Sequence, residues 1–276
     1  MPVDFAAMIV ASGLTKRFGS ITALDGVSFE ARRGEVLGYL GPNGAGKSTT
    51  ISILTGLLSP DSGTASVAGF DVIASPLEAK ARIGYVPEIP AVYETLTPEE
   101  FIGFVGHIRK LPEAVIAQRT ELLLDLFEIG DRARYRMGGF SKGMRQKVLL
   151  AAALLHDPEV LILDEPLSGL DAPSSLLLRE ILHGLRNAGK TILYSSHILE
   201  VVERLADRVV ILHKGRVVAQ GSVDELLRKP RPQGPAGPTG PGSGRLEDLF
   251  RERTQLEDPA ERARCFLASL GKMGSP

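Results

Sequence analysis

A run of nine residues between positions 41 and 49 carries the clearest chemical pattern in this 276-residue chain. It fits the phosphate-loop pattern and reads Gly41-Pro42-Asn43-Gly44-Ala45-Gly46-Lys47-Ser48-Thr49. Glycines let the backbone curl around an anion so that N–H groups point at phosphate oxygens, and a following helix N-terminus adds its positive dipole end. Lys47 can then reach the β- and γ-phosphates, and the Ser48 hydroxyl can ligate Mg²⁺. The segment predicts a nucleotide site rather than a plain glycine-rich turn.

A second chemical signal is an apolar strand pattern at residues 161–163 that ends in two adjacent carboxylates, Asp164 and Glu165. Burying such a pair is costly unless a cation or a proton transfer makes use of it. Downstream of a phosphate loop, Asp164 is placed to hold the Mg²⁺ shell, and Glu165 could orient or deprotonate the attacking water. On its own the pair would be read as a loop cap or a solvated strand edge. With the phosphate loop present, catalysis is favoured.

These groups need elements that position them, and the hydrophobic pattern predicts short strands separated by helices. Val36–Leu40 is predicted as a buried strand before the phosphate loop, followed by a helix over residues 46–56. Residues 160–163 and 191–194 are continuous apolar strands, which suit a parallel sheet covered on both faces. Further strands are predicted at residues 8–12, 27–30, 64–67 and 83–86.

A long helical stretch is predicted to begin at a capping box formed by Thr97 and Glu100, with Pro98 at the first helical position. The helical pattern continues to about residue 155. Residues 209–218 are predicted to form a terminal hairpin, and Ser222 is predicted to cap one more helix.

The composition excludes several classes of function. With 43% hydrophobic residues and a formal net charge of −1, the chain can build a full core but offers no global basic field for nucleic acid. The longest uninterrupted apolar run, residues 148–155, is about a third of a bilayer span, so we expect no membrane crossing. Asp4 and the absence of an early basic residue argue against a signal peptide. The single cysteine, Cys265, suits a reducing compartment, and we expect a cytoplasmic protein.

The composition changes sharply at residues 230–244, which read PRPQGPAGPTGPGSG. Gly234, Gly237 and Gly240 fall at period three, but three triplets cannot be expected to hold a triple helix, and we expect an extended, mobile linker. The segment divides the chain into a main domain at residues 1–229 and a C-terminal helical tail at residues 245–276. In the tail, a possible docking stripe is formed by Leu246, Leu249 and Phe250.

A third motif, FSKGMRQK at residues 140–147, precedes a long helix about twenty residues ahead of the acidic pair. With the phosphate loop, it resembles the signature of the ATPase subunits of ABC transporters, whose consensus is Leu-Ser-Gly-Gly-Gln. In that family the signature binds the γ-phosphate of the ATP held by the opposite subunit. The resemblance gives this role to Ser141 and Gly143, while Lys142 replaces a glycine and Met144 a glutamine. The variant is similar to ATPases of drug, antibiotic and polysaccharide exporters.

Other family positions follow in order. Residues 167–171 resemble the loop that contacts the partner subunit, and His197 resembles the histidine that contacts the γ-phosphate. Phe18 matches the aromatic residue that stacks on adenine, which is tyrosine in most members. Glu88 stands where the family has the glutamine of its glutamine loop. A carboxylate can still ligate Mg²⁺ but cannot donate as an amide does, and we expect Glu88 near the metal.

The resemblance implies an α/β fold of the ABC ATPase type, a P-loop NTPase with a mixed β-sheet core and an inserted helical subdomain at about residues 95–145. It implies ATP and Mg²⁺ as cofactors, with the ATP held by the phosphate loop and by Phe18. The catalytic residues it implies are Lys47, Glu165 and His197, and the metal ligands are Ser48, Asp164 and Glu88.

With one phosphate loop and one signature per chain, the resemblance implies a head-to-tail dimer of identical or related chains with two ATPs at the interface. ATP closes the dimer and hydrolysis releases it, which drives separate membrane-spanning permease subunits from the cytoplasmic face of the membrane. Export is expected from the signature variant and from residues 246–250, which resemble the closing segment of exporter ATPases; import stays open. A soluble ABC ATPase acting on ribosomes or DNA is the alternative, as is a nucleotide-binding regulator without turnover. We expect no nucleic-acid partner.

Overall fold

The computed structural model describes residues 7–228 and 245–254, which form two β-sheets and surrounding helices. The strands of this part of the chain are β1 (Ala7–Phe18), β2 (Ile21–Arg32), β3 (Val36–Leu40), β4 (Ser62–Val67), β5 (Phe70–Asp71), β6 (Ile83–Val86), β7 (Val160–Asp164), β8 (Thr191–Ser196), β9 (Arg208–His213) and β10 (Arg216–Ser222). Its α-helices are α1 (Lys47–Leu54), α2 (Pro76–Arg82), α3 (Pro98–Ile108), α4 (Glu113–Leu126), α5 (Lys142–Leu154), α6 (Ala172–Asn187), α7 (Leu199–Leu205), α8 (Val223–Arg228) and α9 (Arg245–Thr254).

The larger sheet has six strands in the order β10-β9-β3-β8-β7-β6. All neighbours in it are parallel except β10, which pairs antiparallel with β9. Alternate residues of its inner strands enter two separate cores: Leu161 and Leu163 pack on one face, and Val160 and Ile162 pack on the other. The predicted parallel sheet with both faces covered is therefore confirmed.

The smaller sheet is antiparallel, in the order β2-β1-β4-β5. Strands β1 and β2 are 12 residues each, longer than the segments predicted at 8–12 and 27–30. The pairing of β1 with β2 contains register shifts, one of them between Ala11 and Leu14, where Gly13 has a φ of +62°. Such irregularities interrupt the alternating pattern on which the prediction depended, while the ladder continues past them.

The helices between β6 and β7 form the insertion that carries the signature segment. Thr97 Oγ1 accepts a hydrogen bond from Glu100 N at 3.2 Å, and the Glu100 carboxylate accepts one from Thr97 N at 2.9 Å, which confirms the predicted capping box. Phe101 and Leu124 join the helices to the core on one face of the larger sheet. The subdomain boundary at about 95–145 stays a prediction, since α5 continues beyond it as far as Leu154.

The C-terminal hairpin of β9 and β10 is confirmed. Ser222 caps α8 as predicted, because its Oγ accepts a hydrogen bond from Glu225 N at 3.1 Å. In α9, Leu246 and Phe250 are buried in the same core as β7, which confirms the docking stripe. No helix within the described residues is long and apolar enough to span a membrane.

Several predictions differ from the structure or lie beyond it. Helix α1 begins one residue after Gly46, and no prediction delimited α2, α6, α7 or the two-residue strand β5. Elements as short as α2 and β5 carry too few residues for a periodic pattern to emerge. The linker predicted at 230–244 and the tail residues 255–276 lie outside the described residues.

Candidate functional site

The phosphate loop lies at the carboxyl end of β3, an inner strand of the larger sheet, and leads directly into α1. Two of its glycines are required by their surroundings. A Cβ on Gly41 would lie 2.6 Å from the carbonyl oxygen of Leu212, and one on Gly46 would lie 2.6 Å from that of Ala23. Gly46 also has a φ of +110°, where other residues are strained. The loop thus follows the close backbone path that an anion cradle needs.

Around these glycines, the loop has a buried inner side and an exposed outer side. Ala45 is buried and its N–H donates to the carbonyl oxygen of Pro42 at 3.1 Å. Asn43, Gly44 and Ser48 are exposed, so the mouth of the loop and the Ser48 hydroxyl are open to a ligand.

Lys47 places its amino group inside the loop although its side chain enters from the first turn of α1. Only 8% of the residue is exposed, and its Nζ donates to the carbonyl oxygens of Gly41 at 2.7 Å and Pro42 at 3.3 Å. Burial lowers the pKa of this amino group, and three nearby carboxylates act against that shift, those of Glu165, Asp164 and Glu88. The structure therefore brings the predicted lysine and the predicted acids together.

Asp164, the last residue of β7, is buried, and its Oδ1 has no hydrogen-bond partner in the described part of the chain. Burial raises the pKa of its carboxyl group, an effect opposed by the nearby hydroxyls of Ser195 and Ser48 and strengthened by the carboxylate of Glu88. Carboxylate and hydroxyl oxygens are the ligands that Mg²⁺ takes, in sites completed by water and substrate phosphate. The set of Asp164, Ser48 and Glu88 fits such an ion. Within the described residues, no three or more His, Cys, Asp or Glu side chains are grouped as a metal site.

Glu165 follows β7 in a left-handed conformation, with a φ of +49°, and its N–H donates to Ser195 O at 3.0 Å. One carboxylate oxygen, Oε1, lies 2.7 Å from His197 Nδ1, and the other accepts a hydrogen bond from Ser196 Oγ at 3.2 Å. Because a carboxylate accepts, Nδ1 of His197 carries the proton in this contact. The Glu165 side chain is 10% exposed and that of His197 is 64% exposed, so the pair reaches from the carboxyl ends of β7 and β8 to solvent. This arrangement can hold or move a proton beside the phosphate loop.

Phe18 ends β1 and pairs with Ile21 of β2, two residues before Ala23, whose carbonyl oxygen is packed against Gly46. The aromatic residue is 49% exposed, and Lys16 Nζ lies 5.8 Å from its ring centroid. An exposed aromatic face is thus available close to the phosphate loop. Its contact with adenine stays a prediction.

The signature residues start helix α5. Ser141 is its N-cap and accepts a hydrogen bond from Met144 N at 3.2 Å. Gly143 packs against the backbone of Gly169. Within the described residues, no hydrogen bond or ion pair joins Ser141 to the phosphate loop of its own chain. The role of Ser141 and Gly143 in trans stays a prediction.

Comparison with known proteins decides what this site belongs to. The ABC transporter family model matches residues 24–168, more than half of the chain. A solved structure described as the ATP binding subunit of an ABC transporter is 38% identical, with a TM-score of 0.76 over 80% of this chain and 92% of that one. The chain belongs to the ABC transporter family. The ABC transporter ATP-binding protein NatA of Bacillus subtilis is 40% identical, covering 81% of this chain and 93% of NatA. The Nod factor export ATP-binding protein I of Ralstonia nicotianae is 39% identical, over 80% of this chain and 68% of that protein.

The predicted resemblance and the ABC ATPase fold are therefore confirmed, as is the assignment of the chain as an ATP-binding and ATP-hydrolysing subunit of a transporter. The relatives support this function and not the alternative of a soluble ATPase acting on ribosomes or DNA. The family model covers the phosphate loop, the signature and the acidic pair, whereas Phe18 and His197 lie beyond its bounds.

Sequence reasoning missed Ser196, which holds Glu165 and whose Oγ also accepts a hydrogen bond from Ile198 N at 3.0 Å. The only available signal was a pair of serines at the end of an apolar strand, one residue before His197. Their role follows from the register of β7 against β8, which pairs Asp164 with Ser195 and which the apolar pattern does not reveal.

Proposed function

We propose that this chain is the motor subunit of an exporter and works as a head-to-tail dimer, with ATP bound between two copies or between this chain and a related one. The proposal is supported by the relative named for Nod factor export and by the presence of one phosphate loop and one signature in the chain. ATP closes the dimer, and hydrolysis opens it. The movement is passed to membrane-spanning permease subunits, with this chain on the cytoplasmic face of the membrane.

In the proposed site, the phosphate loop and Lys47 bind the β- and γ-phosphates. Lys47 Nζ exchanges two loop carbonyls for phosphate oxygens, and its charge is kept by the surrounding carboxylates. Ser48, Asp164 and Glu88 would hold Mg²⁺, which would supply positive charge to offset that of the phosphates. The unpartnered Oδ1 of Asp164 supports its role as a ligand.

The single observation that carries the proposed hydrolysis is the contact of 2.7 Å between Glu165 Oε1 and His197 Nδ1. Glu165 orients the attacking water and accepts its proton, while Ser196 and His197 fix the carboxylate. His197 is exposed on its other side, where its ring can contact the γ-phosphate. Ser141 and Gly143 of the opposite subunit complete the site from the helix N-terminus of α5.

Replacing Glu165 tests this function. Glu165→Gln keeps the hydrogen-bonding shape but cannot take a proton, so we expect an ATP-bound dimer with turnover lowered at least about 100-fold. Steady-state ATP hydrolysis and size-exclusion chromatography with ATP and Mg²⁺ would measure both effects. Glu159→Gln is the matched control. Glu159 also forms ion pairs, but it precedes β7 and so lies at the opposite end of this strand from Glu165. Wild-type turnover in Glu165→Gln would refute the assignment of Glu165 as the base.

The proposed position of Glu88 near the metal has a separate test. Removing its carboxylate should raise the Mg²⁺ concentration needed for half-maximal hydrolysis, because Glu88 acts electrostatically on both Asp164 and Lys47. An unchanged Mg²⁺ dependence and unchanged stimulation by the permease in Glu88→Ala would contradict the proposal.

The proposed permease surface is a cleft of about 710 Å³ between α2 and the end of α3. Three large apolar residues that line it are exposed, namely Leu57 at 65%, Leu77 at 78% and Ile108 at 62%. Exposed apolar side chains gathered at one cleft are typical of a protein interface. Ile108→Asp should release the permease subunit in co-purification while ATP hydrolysis by the isolated chain is kept. Leu122→Asp is the control, since Leu122 is 61% exposed on α4 outside the cleft; equal release by both variants would reject this surface.

A further inference from the structure

The loop that follows Glu165 is attached to the first turn of α5, the helix that begins at the signature. Lys142 Nζ donates a hydrogen bond to Ser168 Oγ at 2.6 Å. Next to it, Gly143 lies so close to the loop that a Cβ there would be 2.3 Å from the carbonyl oxygen of Gly169. Within one chain, the signature therefore touches the loop of the catalytic glutamate rather than the phosphate loop.

A buried hydrogen bond continues this attachment one turn further along α5. Gln146 is fully buried, and its Nε2 donates to the carbonyl oxygen of Pro166 at 3.2 Å. Within the loop, Ser168 N donates to the carbonyl oxygen of Glu165 at 3.0 Å. The N-terminus of α5 is therefore linked to Glu165 by a continuous series of side-chain and backbone contacts.

The hydrogen bond from Lys142 to Ser168 is a contact that a glycine at position 142 could not make. The consensus signature has glycine at this position, and glycine has no side chain to reach Ser168. Lys142 also packs along Gly169, since a Cβ on Gly169 would lie 3.0 Å from Lys142 Cγ. The lysine thus adds a charged hydrogen bond to a backbone contact that already requires Gly143.

We propose that Lys142 is a positioning residue that couples the two ATP sites of the dimer. This inference rests on the proposed function, in which Ser141 binds the ATP of the opposite subunit while Glu165 acts on the ATP of its own chain. When Ser141 engages that phosphate, the first turn of α5 moves Ser168, and Ser168 brings Glu165 into position. ATP at one site thereby promotes hydrolysis at the other, which is positive cooperativity between sites.

The competing role for Lys142 is direct contact with the phosphate of the opposite ATP, because an exposed ammonium group is itself a phosphate ligand. The two roles differ in what they require of Ser168. Coupling needs the Ser168 hydroxyl as the acceptor of the lysine, whereas direct contact with phosphate does not. They also differ kinetically, since coupling acts on kcat and on cooperativity, and phosphate contact acts on KM.

The experiment measures ATP hydrolysis by the full-length chain over a range of ATP concentrations in wild type, Lys142→Met, Lys142→Arg, Ser168→Ala and the Lys142→Met/Ser168→Ala double variant. Lys190→Met is the matched control, because Lys190 Nζ also has a polar partner, an ion pair with Asp157 at 2.7 Å, but lies just before β8 and away from the signature. Thermal unfolding of each variant monitors the fold.

We expect Lys142→Met to lower kcat about three- to tenfold, which lies within the range for one typical lost hydrogen bond, with KM within about twofold. The Hill coefficient should fall towards one. Ser168→Ala should reproduce both effects, and the double variant should be no less active than either single variant. Lys142→Arg keeps a charged donor and should retain most of the wild-type kcat. Lys190→Met should match wild type.

Three outcomes would overturn the coupling role. The first is unchanged kinetics in Lys142→Met, and the second is a raised KM in Lys142→Met together with unchanged kinetics in Ser168→Ala. The third is an equal loss in Lys190→Met, since the effect would then come from lost charge alone. Failure of the proposed function looks different, because wild type would then lack ATP-dependent turnover or Glu165→Gln would keep it. In that case the proposed coupling is refuted together with the proposed ATP site.

Discussion

Acidification from pH 7.5 to pH 5 should lower the free energy of unfolding of this protein by about 2 kcal/mol through His156 alone. His156 Nε2 lies 3.0 Å from the carbonyl oxygen of Ile83, so Nε2 is the donor and Nδ1 is the nitrogen that would take up a proton. Nδ1 is buried and has no hydrogen-bond partner among the described residues. Burial, followed by the charge of Arg109, lowers the pKa of the imidazole from 6.5 to about 4, although Asp157 acts in the opposite direction.

The size of the effect follows from the two pKa values of His156, 6.5 in the unfolded chain and about 4 in the folded one. Between them the unfolded chain binds the proton and the folded chain does not, so the free energy of unfolding falls as the pH falls through this window. The loss is about 2 kcal/mol at pH 5 and levels off at about 3 kcal/mol below pH 4. At pH 7.5 both states are almost entirely neutral and His156 has almost no effect.

Urea unfolding of wild type and His156→Gln at pH 7.5 and pH 5 measures this contribution. Glutamine can keep a donor towards the carbonyl of Ile83 but has no group that titrates in this range. Because all other titrating groups are shared, the wild type should lose about 2 kcal/mol more than the variant between the two pH values. Equal losses in the two proteins would refute the reasoning, and a larger loss in the variant would reverse its sign.

Three further predictions concern the ATP site. Gly46→Ala should abolish nucleotide binding, because its Cβ would lie 2.6 Å from a main-chain carbonyl oxygen, whereas a Cβ on Gly103 meets nothing within 4 Å and Gly103→Ala should bind normally in an equilibrium titration. Ser196→Ala should lower kcat about tenfold with little change in KM, since it releases one oxygen of the Glu165 carboxylate, the proposed base; an unchanged kcat would reject a positioning role for Ser196. Phe18→Ala should raise the KM for ATP several-fold, whereas Phe18→Tyr should leave it close to the wild-type value. An unchanged KM in Phe18→Ala would rule out stacking.

The parts of the site that are continuous in the chain could be predicted from sequence. The phosphate loop at 41–49 and the pair of Asp164 and Glu165 each carry their chemistry within a few consecutive residues, next to a strand that the hydrophobic pattern reveals. The contacts of Ser196 with Glu165 and of Lys142 with Ser168 could not be predicted, because they join segments 31 and 26 positions apart. Such contacts depend on strand order and on the path of a loop, which a pattern of apolar residues does not specify.

The register of β7 against β8 explains why the Glu165 carboxylate needs a strained backbone. Asp164 pairs with Ser195, so Glu165 emerges just beyond the ladder, beside Ser196. In a continued strand, residue 165 would point to the same face as Leu161 and Leu163, into an apolar core where a carboxylate has no partner. The left-handed conformation of Glu165, at a φ of +49°, turns the side chain out of that alternation and towards His197. Such a conformation costs about 1 kcal/mol or more, and it persists because the hydrogen bond of Glu165 N to Ser195 O fixes the turn.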